Sequence, residues 1–154
     1  MGDHARILIV DDEESIRTVL ATILEEEGYI TETAKNGKEA IEKSEAKFYN
    51  LALIDIRLPD MDGIELLTAI RETTPKMVKI IMTGYPSLQN AVEAVNKGAD
   101  AYILKPFKIE DILKTIKEEL KKQRVARKYS EERVAEFIVA RAKELEAIRQ
   151  KPMK

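Results

Sequence analysis

A run of four apolar residues that ends in a carboxylate, Leu51-Ala52-Leu53-Ile54-Asp55, constrains the fold of this chain more than any other stretch. A short apolar run without polar alternation is typical of a strand that is buried on both faces, as in the centre of a parallel sheet. In open α/β sheets, ligand chemistry lies at the carboxyl ends of the strands. Asp55 therefore occupies a position where a site is expected, although a lone aspartate after a strand more often only serves the next turn.

Four further segments have the apolar, β-branched composition of strands, and five amphipathic segments alternate with them. The predicted strands are residues 6–10, 29–34, 51–54, 78–82 and 101–104, and the predicted helices are residues 15–28, 37–47, 64–74, 87–97 and 109–120. This alternation predicts an α/β fold with a five-stranded parallel sheet, helices on both faces and right-handed crossovers. The half-apolar segment 29–34 is expected at or near an edge of the sheet.

Composition excludes several classes of protein. The 154 residues suit one ordinary domain. No apolar run approaches the roughly 18 residues of a membrane span, and the N-terminus lacks the layout of a signal peptide, so we expect a cytoplasmic protein without a membrane partner. The chain has no cysteine and one histidine, His4. Thiolate metal sites and disulfides are therefore excluded, and a histidine-based site is not expected.

Polar side chains follow four of the predicted strands. Asp11 and Asp12 follow the first strand, Asp55 the third, Thr83 the fourth and Lys105 the fifth. Because the carboxyl ends of parallel strands converge on one edge, we expect these side chains to share a crevice. Three carboxylates that lie so close repel one another unless a cation joins them. Mg²⁺ fits best, since it prefers carboxylate and phosphate oxygens.

A carboxylate beside Mg²⁺, with an ammonium and a hydroxyl directed at the same point, is an arrangement for phosphoryl transfer. Asp55 is the candidate nucleophile, and Lys105 would neutralise charge on the entering group. The sequence has no Walker loop and no dinucleotide fingerprint, so no nucleotide cofactor is expected. The phosphoryl group must then arrive on a donor that docks.

Four motifs in order resemble the receiver domain of two-component response regulators, which has a flavodoxin-like topology. They are Ile-Val-Asp-Asp-Glu at 9–13, Leu-Ile-Asp-Ile-Arg-Leu-Pro-Asp-Met-Asp-Gly at 53–63, Met-Thr-Gly at 82–84 and Ala-Tyr-Ile-Leu-Lys-Pro-Phe at 101–107. The resemblance covers roughly residues 5–124. It implies a response regulator whose Asp55 accepts a phosphoryl group from a sensor histidine kinase.

The resemblance also implies the roles of the neighbouring residues. Asp11 and Asp12 would bind Mg²⁺ together with Asp55 and the backbone carbonyl of Arg57. Lys105 would pair with the phosphoryl group, and the peptide bond before Pro106 would be cis. The protein would then be no enzyme but a phosphorylation-dependent switch, whose only chemistry is Mg²⁺-dependent phosphorylation and dephosphorylation of itself.

The switch implied by the resemblance depends on Thr83 and Tyr102. A phosphoryl group brings roughly −1.5 to −2 charges and strong acceptors, which would draw the Thr83 hydroxyl inward. Tyr102 would rotate from an exposed to a buried position in the space that Thr83 leaves. The face made by the fourth helix, fifth strand and fifth helix would change with it and alter partner binding or dimerisation.

Two bulky residues stand where the family tunes dephosphorylation, Arg57 two positions after Asp55 and Tyr85 two positions after Thr83. We expect both side chains to hinder in-line water and to prolong the phosphorylated state. An alternative function is a Mg²⁺-dependent phosphatase of small molecules with an Asp nucleophile. Such enzymes usually carry an acidic residue two positions after the nucleophile, and Arg57 at that position counts against this alternative.

The tail, residues 125–154, is predicted to be a helical extension in which a helix begins at Ser130. Val134, Ile138, Arg141, Leu145 and Ile148 have heptad spacing, which indicates either a coiled-coil homodimer or a helix folded back on its own domain. The basic stretch before Tyr129 lacks aromatic interleaving and a base-reading element, so specific DNA binding is not expected. The downstream target stays unidentified, and the chain is either a single-domain regulator or the front of a longer protein.

Overall fold

The computed structural model of the chain describes residues 4–150 and has five strands that alternate with five helices. The strands are Arg6–Val10 (β1), Ile30–Ala34 (β2), Leu51–Asp55 (β3), Val78–Thr83 (β4) and Ala101–Leu104 (β5). The helices are Glu14–Glu26 (α1), Gly37–Ala46 (α2), Gly63–Ala69 (α3), Leu88–Asn96 (α4) and Ile109–Gln150 (α5). The predicted element order is confirmed.

All strand pairs are parallel, and the sheet has the order β2-β1-β3-β4-β5. The prediction of a central β3 is confirmed, since every residue of β3 is buried and β3 pairs with β1 and β4. β2 lies at an edge, as its half-apolar sequence predicts. The order reverses between β1 and β3, where open α/β sheets form a crevice at the carboxyl ends of their strands.

Two apolar clusters cover the two faces of the sheet, because alternate strand residues point to opposite sides. On one side, Leu8 and Ile54 pack with residues of α2, α3 and α4. On the other side, Ile9 and Leu53 pack with residues of α1 and of the first part of α5, up to Leu120. The predicted fold class, with helices on both faces, is confirmed.

Two helix boundaries differ from the prediction by more than two residues. α3 ends at Ala69, before the predicted end near Thr74, because Ile70 takes extended backbone (ψ 138°) and buries its side chain in the apolar cluster. The tail does not start a new helix at Ser130, since α5 continues without a break to Gln150. Residues 121–128 contain no Gly or Pro and are rich in strong helix formers, so nothing in them ends the helix.

By its internal contacts the chain divides into the units Met1–Leu120 and Lys121–Lys154. The assignment of residues 5–124 to one domain and 125–154 to an extension stays a prediction, and residues 151–154 of that extension lie outside the described residues. Across positions 4–150, no helix combines the length and the apolar composition that a membrane crossing requires.

Candidate functional site

Three carboxylates meet at the carboxyl edge of the sheet. Asp11 and Asp12 follow β1, and Asp55 is the last residue of β3. One oxygen from each of the three side chains lies within 4.8 Å of the others. Asp11 is fully buried, Asp55 is 7% exposed and Asp12 is exposed to solvent. The cluster therefore has a buried floor and one open side, from which a substrate can reach Asp55.

Lys105 joins the cluster from the end of β5. Its Nζ lies 2.8 Å from Asp11 Oδ2 and 3.5 Å from Asp55 Oδ1. Burial lowers the pKa of Lys105, but the hydrogen bonds and charges of Asp11 and Asp55 together outweigh burial, so that the pKa lies above its usual value. The peptide bond from Lys105 to Pro106 is cis, as the resemblance implies. Lys105 thus brings a permanent positive charge to the carboxylates.

Asp55 has a raised pKa, first because it is buried and second because of the neighbouring charge of Asp11. The ammonium of Lys105 and the backbone N–H of Arg57 oppose this rise without cancelling it. The distances explain the balance, since Lys105 is closer to Asp11 than to Asp55. The Asp55 carboxylate is therefore the member of the cluster whose negative charge is poorly compensated.

Thr83 and Tyr102 lie on the neighbouring strands. Thr83, the last residue of β4, is buried, and its hydroxyl oxygen accepts a hydrogen bond of 3.0 Å from the backbone N–H of Tyr85. Tyr102 of β5 is partly buried and packs against the apolar cluster that lies between the sheet and helices α2, α3 and α4. Within residues 4–150, its buried hydroxyl has no hydrogen-bond partner. The rotation of Tyr102 from an exposed position stays a prediction.

The loop after Asp55 is anchored by two aspartates whose roles the sequence analysis missed. The Asp60 carboxylate accepts hydrogen bonds from the backbone N–H groups of Gly37 (2.8 Å) and Lys38 (2.9 Å) at the start of α2. These bonds hold the pKa of Asp60 below its usual value. Asp62 caps α3 by accepting from the N–H of Ile64 at 2.8 Å. The signal for Asp62 was present, since Asp is a preferred N-cap residue.

Gly63, the first residue of α3, packs directly against the backbone of the central strand. A Cβ atom at this position would lie 2.2 Å from the carbonyl oxygen of Asp55 and 2.8 Å from the Cα of Ile56. The N–H of Gly63 donates a 2.8 Å hydrogen bond to the Ile56 carbonyl. Gly63 stood before the predicted helix 64–74 without a role, because sequence alone does not show which backbone a glycine approaches.

Arg57 and Tyr85 contact each other at the surface of the site. The guanidinium carbon of Arg57 lies 3.9 Å from the centre of the Tyr85 ring, in a cation–π contact. Both side chains are exposed. This contact joins the loop that follows Asp55 to the loop that follows Thr83.

The donor set of the cluster fits Mg²⁺. Asp11, Asp12 and Asp55 offer three carboxylate oxygens close together, and hard oxygen ligands are what Mg²⁺ prefers. The raised pKa of Asp55 shows that its ionised form is disfavoured by burial and by Asp11, and a bound cation would stabilise that ionised form. Histidine and cysteine ligands, which would indicate other metals, do not occur in this cluster.

Comparison with known proteins agrees with this geometry. The family model of the response regulator receiver domain matches residues 7–117. Transcriptional regulatory protein ZraR of Klebsiella oxytoca is 40% identical over 125 residues, which cover 81% of this chain and 28% of that protein. The chain thus spans less than a third of the length of this curated relative.

Solved structures give the same result. A CheY-like response regulator receiver domain protein from Methanospirillum hungatei is 50% identical, with a TM-score of 0.76, over 79% of this chain and 98% of that one. A response regulator from Burkholderia pseudomallei was solved with a phosphorylated aspartic acid, a calcium ion and citrate. It is 34% identical, with a TM-score of 0.67, over 71% of this chain and 64% of that one.

Proposed function

This chain belongs to the family of response regulator receiver domains, and from that premise we propose that Asp55 is its phosphoacceptor. The observation that supports this assignment is the position of Asp55, at the end of the central strand with two further carboxylates within 4.8 Å and the Lys105 ammonium at 3.5 Å. The phosphorylated aspartic acid in the Burkholderia pseudomallei relative is a precedent for this chemistry on the same fold.

Receiver domains act as phosphorylation switches in two-component signalling, and a sensor kinase is the partner that membership of the family implies. In the proposed reaction, an Asp55 oxygen forms a bond to phosphorus while the bond from phosphorus to the imidazole nitrogen of a kinase phosphohistidine breaks. The imidazole keeps the electron pair and later takes a proton from solvent. Lys105 moves from its carboxylate partners to the incoming phosphoryl oxygens and neutralises their charge.

Asp11, Asp12, Asp55 and the backbone carbonyl of Arg57 are the groups that would hold Mg²⁺. When bound, the ion supplies positive charge that lowers the repulsion between the carboxylates and the phosphoryl group. The buried Asp11 positions the site through two further bonds, since its Oδ1 accepts from the Glu13 N–H at 2.9 Å and its carbonyl from Arg17 at 2.7 Å.

The proposed switch begins at Thr83. Its hydroxyl oxygen already accepts from the Tyr85 N–H, so its O–H group is the part that can donate to a phosphoryl oxygen on Asp55. Movement of this hydroxyl would be transmitted to Tyr102, whose buried hydroxyl gains by finding a partner. The surface that responds carries exposed apolar residues of α4 and β5, Leu88, Val92, Val95 and Leu104.

The proposed partners beyond the kinase are a second copy of this chain, through that α4–β5–α5 surface or through the C-terminal part of α5, and a downstream target of unassigned class. The name of the ZraR relative includes transcriptional regulation, but this chain matches 28% of that protein. DNA binding is therefore not part of the proposed function.

Incubation with Mg²⁺ and a small acyl phosphate donor tests the proposal. We expect at most one phosphoryl group per chain, bound as an acid-stable and base-labile acyl phosphate, and no labelling when EDTA removes the metal. Intact-mass spectrometry measures the stoichiometry. Rapid turnover of donor without a lasting label on the chain would instead support the phosphatase alternative, and no incorporation with Mg²⁺ from either a small donor or a phosphorylated kinase would contradict the assignment of a phosphoacceptor.

We further propose that the Arg57–Tyr85 contact shields the phosphoryl group from water. Arg57→Ala and Tyr85→Ala are each expected to shorten the half-life of phosphorylated Asp55 about two- to fivefold, the factor for an exposed cation–π contact. Because each side chain holds the other over the site, the double variant is expected to decay no faster than either single variant. Loss of label with time, measured by intact mass, gives the rates.

Arg133→Ala is the matched control, because Arg133 contacts the ring of Tyr129 in the other unit of the chain, with 5.8 Å between guanidinium and ring centre. This variant is expected to keep the half-life of the original protein. If the half-life is no shorter in either Arg57→Ala or Tyr85→Ala, the shielding role is wrong.

A further inference from the structure

The C-terminal part of α5 leaves large apolar side chains without cover. Every residue from 124 to 150 is exposed. The stripe residues, as we call them, are Val134, Phe137, Ile138, Leu145 and Ile148, with exposed fractions of 53% to 70%. An isolated helix has little stability from propensity alone, and most helices are stabilised by packing of an apolar face. This segment therefore has the composition of a helix that packs against something.

The stripe residues share one side of the helix. At about 100° per residue, they fall within an arc of roughly 100°, and the seam at 134, 138, 141, 145 and 148 repeats with alternating steps of four and three. Val139, which is 53% exposed, points away from this arc and serves as an internal comparison. Steps of four and three are the spacing of a helix that packs along another helix.

We propose that a second copy of this chain covers the stripe residues, in a parallel two-stranded coiled coil of the C-terminal part of α5. The charged residues beside the seam, Glu144 and Arg149, support a second copy as the partner and the parallel orientation. In the heptad, Glu144 takes position g and Arg149 takes position e of the following repeat, the pair that meets between parallel chains. In a parallel dimer, each Glu144 thus faces Arg149 of the second copy, twice by symmetry.

An antiparallel pair lacks this complementarity. With Ile138 packed opposite Arg141 of the second copy, it would place Glu144 beside Phe137 of that copy, a carboxylate against an apolar ring. A polar residue within a coiled-coil seam fixes the register and weakens the dimer. Arg141 is such a residue, and its guanidinium is already paired with Glu144 at 2.9 Å in the same helix. The dimer is therefore expected to be weak and concentration-dependent.

This inference makes specific the dimerisation included in the proposed function, and it does not depend on phosphoryl transfer. Sedimentation velocity of the full chain at a series of concentrations is the test. We expect a monomer–dimer equilibrium, which Ile138→Lys weakens about tenfold or more and Val139→Lys leaves unchanged. Labelling of Asp55 in the same variants shows that they are folded, and it separates a failure of the dimer from a failure of the proposed phosphoacceptor.

Charge reversal tests the direction. Glu144→Arg and Arg149→Glu are each expected to weaken the dimer, and the double exchange to restore it. Because the chain contains no cysteine, Ile148→Cys gives one thiol per chain, which is expected to form an intermolecular disulfide in a parallel pair, whereas Val139→Cys is not. A chain that stays monomeric, a dimer that survives Ile138→Lys, or an absence of both the charge rescue and the disulfide of the Ile148→Cys variant would overturn the proposal.

Discussion

Asp55→Asn is expected to abolish phosphoryl incorporation, from at most one group per chain to none, with a small acyl phosphate and with a sensor kinase. An amide nitrogen or oxygen is a much weaker nucleophile than a carboxylate, and no other described carboxylate combines burial, proximity to Lys105 and a position on the open side of the cluster. Intact-mass spectrometry measures the loss. Asp62→Asn in the same loop is the control and should keep labelling, since Asn replaces Asp well as an N-cap.

The Asp55→Asn variant should also be folded, and its thermal stability shows this. Because the folded state raises the pKa of Asp55, the neutral carboxyl group stabilises the fold below the ordinary pKa of about 4, and this contribution is lost as pH rises through the raised value. Without metal, the variant should therefore melt above the original protein at pH 7, and the difference should disappear below pH about 4. A variant that still incorporates phosphoryl groups would contradict the assignment of Asp55.

Gly63→Ala is expected to destabilise the protein by about 3 kcal/mol or more, at the upper end of the cost of overpacking. The added methyl group would lie 2.2 Å from the Asp55 carbonyl oxygen and 2.8 Å from the Ile56 Cα. Both atoms belong to the backbone, which cannot rotate away as a side chain does. Either α3 moves away from β3 or the end of β3 moves with Asp55. Chemical denaturation measures the loss of stability. The folded fraction of the variant should also incorporate fewer phosphoryl groups than the original protein.

Gly84→Ala is the matched control for this effect. Gly84 also lies beside the site, after Thr83, but its nearest atom would be the Cβ of Lys105 at 3.8 Å, which is an ordinary contact. Its backbone is not in the left-handed region. We expect a change of less than about 0.5 kcal/mol there, as for most substitutions without a clash. Equal stability of the two variants would show that the close approach at Gly63 is not a constraint.

The sheet could be predicted because its strands have a simple signature. Leu51 to Ile54 form an unbroken apolar run, and such a run predicts a central parallel strand whether or not its neighbours are known. The continuation of α5 past Ser130 was missed because Ser, Glu and Glu form a good helix start and are equally tolerated inside a helix that already exists. Local sequence indicates where a helix can begin, whereas continuity depends on the absence of a stop.

The sequence predicted which site residues meet at the edge of the sheet, but not which of them contact each other. Asp11, Asp55 and Lys105 were expected together because each one ends or directly follows a parallel strand. Sequence did not show that Lys105 lies closer to Asp11 than to Asp55, or that the Arg57 guanidinium lies over the Tyr85 ring. Such contacts depend on rotamers and loop paths, which have no periodic signature. The same limit applies to Asp60, whose partners at Gly37 and Lys38 are more than twenty residues away.

The loop that follows Asp55 and the loop that follows β4 differ in how they are anchored. This difference determines in which direction a change at Asp55 can spread. The loop toward α2 is held across the fold by the bonds from Gly37 and Lys38 to Asp60. Among residues 4–150, the side-chain hydrogen bonds of the loop that follows β4 are short-range, from Tyr85 to Thr83 and from Asn90 to Ser87, and its side-chain link to the loop after Asp55 is the exposed Arg57–Tyr85 contact. A displacement of the backbone at the end of β3 would have to break the Asp60 hydrogen bonds to move the loop after Asp55. It can move the loop that follows β4 without breaking such bonds. Displacement should therefore travel toward α4 and β5, while α2 acts as the fixed frame.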